Sequence, residues 1–149
     1  MQSTERPTGT ADLTALAGEV RTAVGRLGRR LRQEKAQHEL SDSQFSVLAL
    51  LHREGPKTLG ELAEAERVRP PSMTRTVACL VDEGLAERLA DPADGRVTRL
   101  RPTTEGTELV LDVRRSRDAW LVARLRELSP GELRLLHDAA ALLREVADR

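Results

Sequence analysis

Between Arg69 and Thr76 the chain reads Arg-Pro-Pro-Ser-Met-Thr-Arg-Thr, a run that mixes guanidinium groups with short hydroxyl side chains. A guanidinium presents a planar fork of donors that matches guanine edges and phosphate oxygens, and Ser or Thr hydroxyls bond to bases or phosphates. At about 100° per residue on a helix, Met73, Val77, Leu80 and Val81 fall on one side, with Ser72, Arg75, Cys79 and Asp82 on the other. That spacing predicts a helix whose apolar side meets a core. Its polar side would hold Ser72, Thr74, Arg75 and Thr76, with Arg69 and Pro71 at its start, towards the edges of a duplex. A second basic group, Arg96, follows in Asp-Pro-Ala-Asp-Gly-Arg, where Asp94 lies close enough in sequence to orient it. The ordinary alternatives are that Ser72 caps the helix, that Arg75 forms a surface ion pair, and that the Asp-Pro-Asp-Gly cluster is a plain hairpin turn.

These residues need elements to hold them. Leu13, Leu16, Ala17, Val20, Val24, Leu27 and Leu31 recur at spacings of three and four, which predicts a long amphipathic helix over 11–37. Ser41 with Gln44, Thr58 with Glu61, and Ser129 with Glu132 are capping-box pairs that open helices. The first of these helices covers 42–53 and ends at Gly55-Pro56; the second runs to about Glu66. Pro70-Pro71 opens the next, because proline suits a first turn whose N–H groups have no partner, and Gly84 stops it. Leu85–Leu89 and Arg96–Arg101 are the two expected strands of a hairpin; helical periodicity resumes from Thr103 to Ser129 and again in a last helix. The predicted fold class is mainly α with a small β wing, a winged helix-turn-helix flanked by long helices.

Bulk composition narrows the function classes. The 149 residues carry 24 basic and 24 acidic side chains, so no whole-protein field draws in polyanions. Any contact with nucleic acid must therefore be local. Residues 67–101 hold seven basic and five acidic groups, whereas 41–66 hold two and five. Aromatic residues make up 1%, leaving Leu, Val and Ala to build the core.

Cys79 is the single cysteine, which excludes an intrachain disulfide and fits a reducing compartment. His38, His52 and His137 show no metal-ligand spacing, and no nucleophile elbow, zinc-protease motif or phosphate-binding glycine loop occurs. Catalysis, a metal and a cofactor are not expected. The longest strongly apolar run, Val47–Leu51, is far short of a membrane span, and the polar start lacks the apolar segment of a signal peptide. The expectation is a cytoplasmic protein with no membrane partner.

Over about residues 41–110 the sequence resembles the MarR family of bacterial transcription regulators, most closely in SMTRTVACLVDEGLAER and in DPADGR followed by TRLRPTTEG. The family's Ser, Thr-Arg, aliphatic, Leu and Gly-Leu positions fall on Ser72, Thr74, Arg75, Val77, Leu80, Gly84 and Leu85; its Asp-Pro, Asp and Arg fall on Asp91, Pro92, Asp94 and Arg96. The resemblance implies a homodimer that places two recognition helices on a pseudo-palindromic operator in double-stranded DNA, with a wing Arg in the minor groove. It also implies a repressor released by a small phenolic or aromatic carboxylate effector; Arg21 or Arg53 could pair with such a carboxylate, the ordinary alternative being an exposed ion pair, and no effector-binding residue is assigned. The organisation expected is a flexible tail over 1–10, a helical dimerisation region from 11–40 and 103–149, and a DNA-binding region over 41–102. Gly95 departs from the pattern, since many members carry Arg there. Alternative readings are a redox-responsive regulator acting through Cys79, or a winged helix that docks proteins without sequence-specific DNA binding.

Overall fold

The computed structural model describes residues 10–34 and 40–149. The expected tail up to residue 9, and the stretch 35–39 that holds the predicted end of the first helix at 37, lie outside the described residues. Helix α1 (Thr10–Gln33) is a unit of its own. Its apolar stripe, Leu13, Leu16, Val20, Val24 and Leu27, is bare, and none of its residues is buried.

The second unit is a winged helix-turn-helix. Its elements are α2 (Asp42–Glu54), β1 (Lys57–Thr58), α3 (Leu59–Ala65), α4 (Pro70–Asp82), β2 (Ala86–Ala90), β3 (Thr98–Pro102), α5 (Thr104–Leu125) and α6 (Pro130–Ala147). All three predicted capping boxes are formed: Ser41 with Gln44, Thr58 with Glu61 and Ser129 with Glu132 exchange side-chain and backbone bonds in both directions. Each satisfies two N–H groups that the helix itself cannot. Helix α4 ends in a paired arrangement at Gly84, where the Gly84 N–H donates to the Val81 carbonyl and the Leu85 N–H to the Leu80 carbonyl. Gly84 takes φ 72°, a left-handed value that glycine adopts without a steric cost.

The sheet has three strands, not the two expected. β1 pairs antiparallel with β3, giving the order β1-β3-β2. Two residues between helices carry no alternation for a sequence reading to detect. The other boundaries also move. Leu85 belongs to the α4 cap, so β2 starts at Ala86. Arg96 and Val97 donate their N–H groups to Asp94 and lie in the turn, which delays β3 to Thr98. Helix α5 stops at Leu125, and the N–H groups of Glu127 and Leu128 bond three residues back in a closing turn.

The core is aliphatic, as the scarcity of rings requires: Leu48, Leu51, Leu62, Met73, Leu80, Val47, Val77 and Val110 are its most deeply buried members. Phe45 packs on its edge. The residues that α5 buries all lie in its first half, Gly106, Leu109, Val110 and Val113, and beyond them the Arg117 guanidinium stacks on the Phe45 ring at 4.4 Å. The reason for Gly106 is steric. A Cβ there would lie 2.0 Å from the Leu85 carbonyl oxygen, so α5 and the start of the wing touch backbone to backbone. Helix α6 buries no residue at all, and Leu135, Leu142 and Val146 are each more than 60% exposed.

Gly106→Ala should therefore lower unfolding free energy by about 3 kcal/mol, at the top of the usual overpacking range. Gly131→Ala, whose Cβ would meet only the Ser129 hydroxyl at 4.0 Å, should change it by less than about 1 kcal/mol. Urea unfolding of the two variants checks the contrast; equal midpoints would refute the steric account.

Candidate nucleic-acid interface

Helix α4 divides as its periodicity requires. Met73, Val77 and Leu80 are buried, Val81 is partly covered, and Ser72, Thr74, Arg75 and Cys79 are exposed on the other side with Thr76 at the margin. Arg69 occupies the N-cap position but makes no side-chain capping bond, and Pro70 and Pro71 fill the first two helical positions. Ser72 is not a cap; its N–H donates to the Arg69 carbonyl at 3.0 Å and its carbonyl accepts from Thr76.

The chemistry of this N-terminus follows from what the prolines remove. Two of the N–H groups that a helix start normally offers to anions are missing, and the Ser72 N–H is engaged. Anion contact at this end falls to side chains. Thr74 Oγ1 donates to the Pro70 carbonyl at 2.9 Å, and Thr76 Oγ1 to the Ser72 carbonyl at 3.1 Å. With their protons so engaged, both hydroxyls present lone pairs outward and their methyl groups beside them. That suits base amino donors and thymine methyls better than phosphate. Arg75 enters no hydrogen bond or ion pair among the described residues, so its whole donor fork is available.

The wing is ordered from within. Asp91 Oδ1 accepts from the N–H groups of Ala93 at 2.7 Å and Asp94 at 3.3 Å, and the Asp91 N–H closes the loop onto the Val97 carbonyl at 2.8 Å. Asp94 in turn accepts from the Arg96 backbone N–H at 3.0 Å and from its guanidinium Nε at 3.1 Å. Arg96 is thereby aimed while its side chain stays 91% exposed. Gly95 has an unexceptional φ and open space around a notional Cβ, so the backbone does not demand glycine there.

Sequence reasoning missed Arg99. It lies on β3, 29% exposed, and its Nε donates to Asp91 Oδ2. Its Nη1 donates to Glu61 Oε2 at 3.2 Å and faces the Pro56 carbonyl at 3.3 Å. No local pattern announces a contact with Glu61 so far away in sequence. The charges leave their mark on acidity. Arg99, then the Ala93 N–H, hold the Asp91 carboxyl below its ordinary range; Arg96 does the same for Asp94; the Thr58 N–H and hydroxyl, then Arg99, do so for Glu61. Arg53, considered for an effector carboxylate, pairs with Glu54 at 2.7 Å. Cys79 is a free, exposed thiol, and no group of metal-ligating side chains occurs among the described residues.

A group whose acidity is raised by folding stabilises the fold above its ordinary range and loses that contribution as pH falls through the lowered value. For Asp91, Asp94 and Glu61, urea midpoints should hold level from pH 7 to about 5 and decline below about pH 4. Asp91→Asn should make the decline shallower, and an unchanged profile would show that Asp91 does not carry it.

The model of the MarR family matches residues 40–98. The uncharacterised HTH-type transcriptional regulator ML2140 of Mycobacterium leprae is 45% identical over 133 residues, covering 89% of this chain and 93% of that protein. Among solved structures, a MarR family protein from Bacillus stearothermophilus superposes with a TM-score of 0.84 at 22% identity, over 95% of this chain and 99% of that one. The transcriptional regulator Tm0710 from Thermotoga maritima does so at 0.68 and 26% identity, over 94% and 96%.

Proposed function

The chain belongs to the MarR family of DNA-binding winged helix-turn-helix transcriptional regulators, and from that premise we propose that it acts as a homodimeric repressor on a pseudo-palindromic operator. Arg75, Ser72, Thr74 and Thr76 read base edges in the major groove, Arg69 and Pro71 flank them at the backbone, and Arg96, oriented by Asp94, reaches the minor groove. The observation that carries this reading is a pair of exposed arginines on two elements of one unit: Arg75 on α4, without a partner among the described residues, and Arg96 held ready at the wing tip. At zero net charge such local placement has to substitute for a general attraction.

The dimer part of the reading is supported by surface left bare. Within the second unit, α5 exposes Val122 and α6 exposes Leu133, Leu135, Leu136, Leu142, Leu143 and Val146, and the separate helix α1 exposes its own Leu and Val stripe. A second copy would bury them and set the separation of the two α4 helices at about one turn of DNA, roughly 34 Å. The repressor and effector parts rest on the resemblance. A small phenolic or aromatic carboxylate that fits only a dimer with misaligned recognition helices lowers operator affinity by population shift. Such a regulator works in the cytoplasm, where its operator is.

Two experiments check these roles. Light scattering should give twice the 16.5 kDa chain mass, and Leu136→Glu on α6 should shift it towards the single-chain value; a monomeric wild type would overturn the dimer. On a duplex selected by the wild-type protein from random sequence, Arg75→Ala should cost about 1–3 kcal/mol and relax one base position. Arg96→Ala should weaken all sequences alike and reduce the salt slope by about one per chain. Identical binding by wild type and Arg75→Ala would remove Arg75 from the reading set.

A further inference from the structure

We propose that Arg99 is the positioning residue that fixes the wing tip to the first helix of the helix-turn-helix, so that Arg96 is aimed by α3 as well as by the hairpin. A continuous chain of hydrogen bonds supports it. From the exposed end, the Arg96 guanidinium donates to Asp94, and the Asp94 N–H donates to Asp91 Oδ1. On its other oxygen Asp91 accepts from Arg99 Nε, whose Nη1 donates to Glu61 Oε2. Glu61 Oε2 also accepts from the Thr58 N–H at 2.7 Å as half of the α3 capping box. One guanidinium thus joins the carboxylate that organises the wing loop to the carboxylate that starts α3.

The geometry assigns the two oxygens of Asp91 different duties. Oδ1 shapes the loop through Ala93 and Asp94; Oδ2 takes the Arg99 bond. The side chain of Asp91 is only 11% exposed and that of Arg99 29%, so solvent screens this pair less than the open Asp94–Arg96 pair. A planar fork with several donors in fixed directions bridges two carboxylates and a carbonyl at once; the point charge of Lys does not. Without the bridge, the residues from Asp91 to Val97 keep their own turn but lose their tie to α3. Arg96 then searches more orientations before it meets a groove, and part of the binding free energy goes into ordering it.

This rests on the reading of Arg96 as the wing contact, and the test separates the two. Wild type, Arg96→Ala, Arg99→Ala, Arg99→Lys, Asp91→Asn and the double variant Arg96→Ala/Arg99→Ala are titrated with the selected, fluorescein-labelled duplex at several salt concentrations. Thermal melting is followed in parallel. Arg99→Ala is expected to weaken binding about as far as Arg96→Ala, on the order of tenfold, and to reduce the salt slope likewise. In the Arg96→Ala background the same substitution should add less than about twofold, because the two residues act on one contact. Asp91→Asn, which keeps the loop acceptor but removes the charge facing Arg99, should follow Arg99→Ala; Arg99→Lys should recover little. A merely structural role would lower melting without this non-additivity or change in salt slope. Wild-type affinity in both Arg99→Ala and Asp91→Asn, or full additivity with Arg96→Ala, overturns the positioning role alone. If Arg96→Ala itself binds as wild type does, the wing reading fails and takes the positioning role with it.

Discussion

At Leu85 three elements meet on one stretch of backbone. Its N–H closes the end of α4 on Leu80, and its carbonyl accepts from the Thr103 N–H at 3.0 Å. The Thr103 hydroxyl donates to the neighbouring Gly84 carbonyl at 2.7 Å and caps α5 through the Gly106 N–H. Gly106 then passes so near the Leu85 carbonyl that a side chain has no room. Recognition helix, wing and the long helix α5 are thus registered to one another by backbone contact, which side-chain rotamers cannot loosen. Leu109, Val110 and Val113 complete the join by entering the core that Met73, Val77 and Leu80 enter from α4.

On this frame the charged groups do little for stability and much for direction. An open pair such as Asp94–Arg96 contributes little to stability, because water and salt screen it. What it does is limit the rotamers of a long side chain before any partner arrives. Asp94 occupies Nε and, at 3.4 Å, Nη2 of the guanidinium. The remaining N–H groups of a five-donor fork stay free for base edges or phosphate oxygens. Arg75 is the opposite case: among the described residues it has no restraining carboxylate, and the buried side of α4 decides where it points. Orientation by a carboxylate on the wing and by a packed helix at α4 are two solutions to one entropy problem.

The signals legible in the sequence were those set by neighbours a few residues apart. Three capping boxes, the Pro-Pro start of α4, its buried stripe and the glycine stop all arise from local bonding or helical period, and all lie where local chemistry puts them. Features set by distant partners were not legible. β1 exists because two residues happen to align with Leu100 and Arg99. Arg99 reads as one more arginine among many until the fold brings Glu61 and Asp91 to it. Gly106 looks like an ordinary helix residue, since its need for no side chain comes from Leu85. The donor state of Thr74 and Thr76 was equally hidden, as it depends on which i−4 carbonyls each hydroxyl finds.

Helix α5 connects the two kinds of surface in this chain. Its first turns belong to the core and to the Gly106 contact, whereas past the Arg117 guanidinium stacked on Phe45 its later turns expose Val122 and hold no residue of the buried core. A continuous helix transmits displacement of one end to the other, because bending it breaks its own hydrogen bonds. In the proposed dimer, a change in how the bare half of α5 packs would therefore arrive at Leu85 as a movement of backbone against backbone. There it meets no compliant side chain to absorb it, and α4 and the wing must move as one body with it. Such a lever needs only two packings of the bare faces, and a ligand that favours one of them, to change the spacing at which two recognition helices meet DNA.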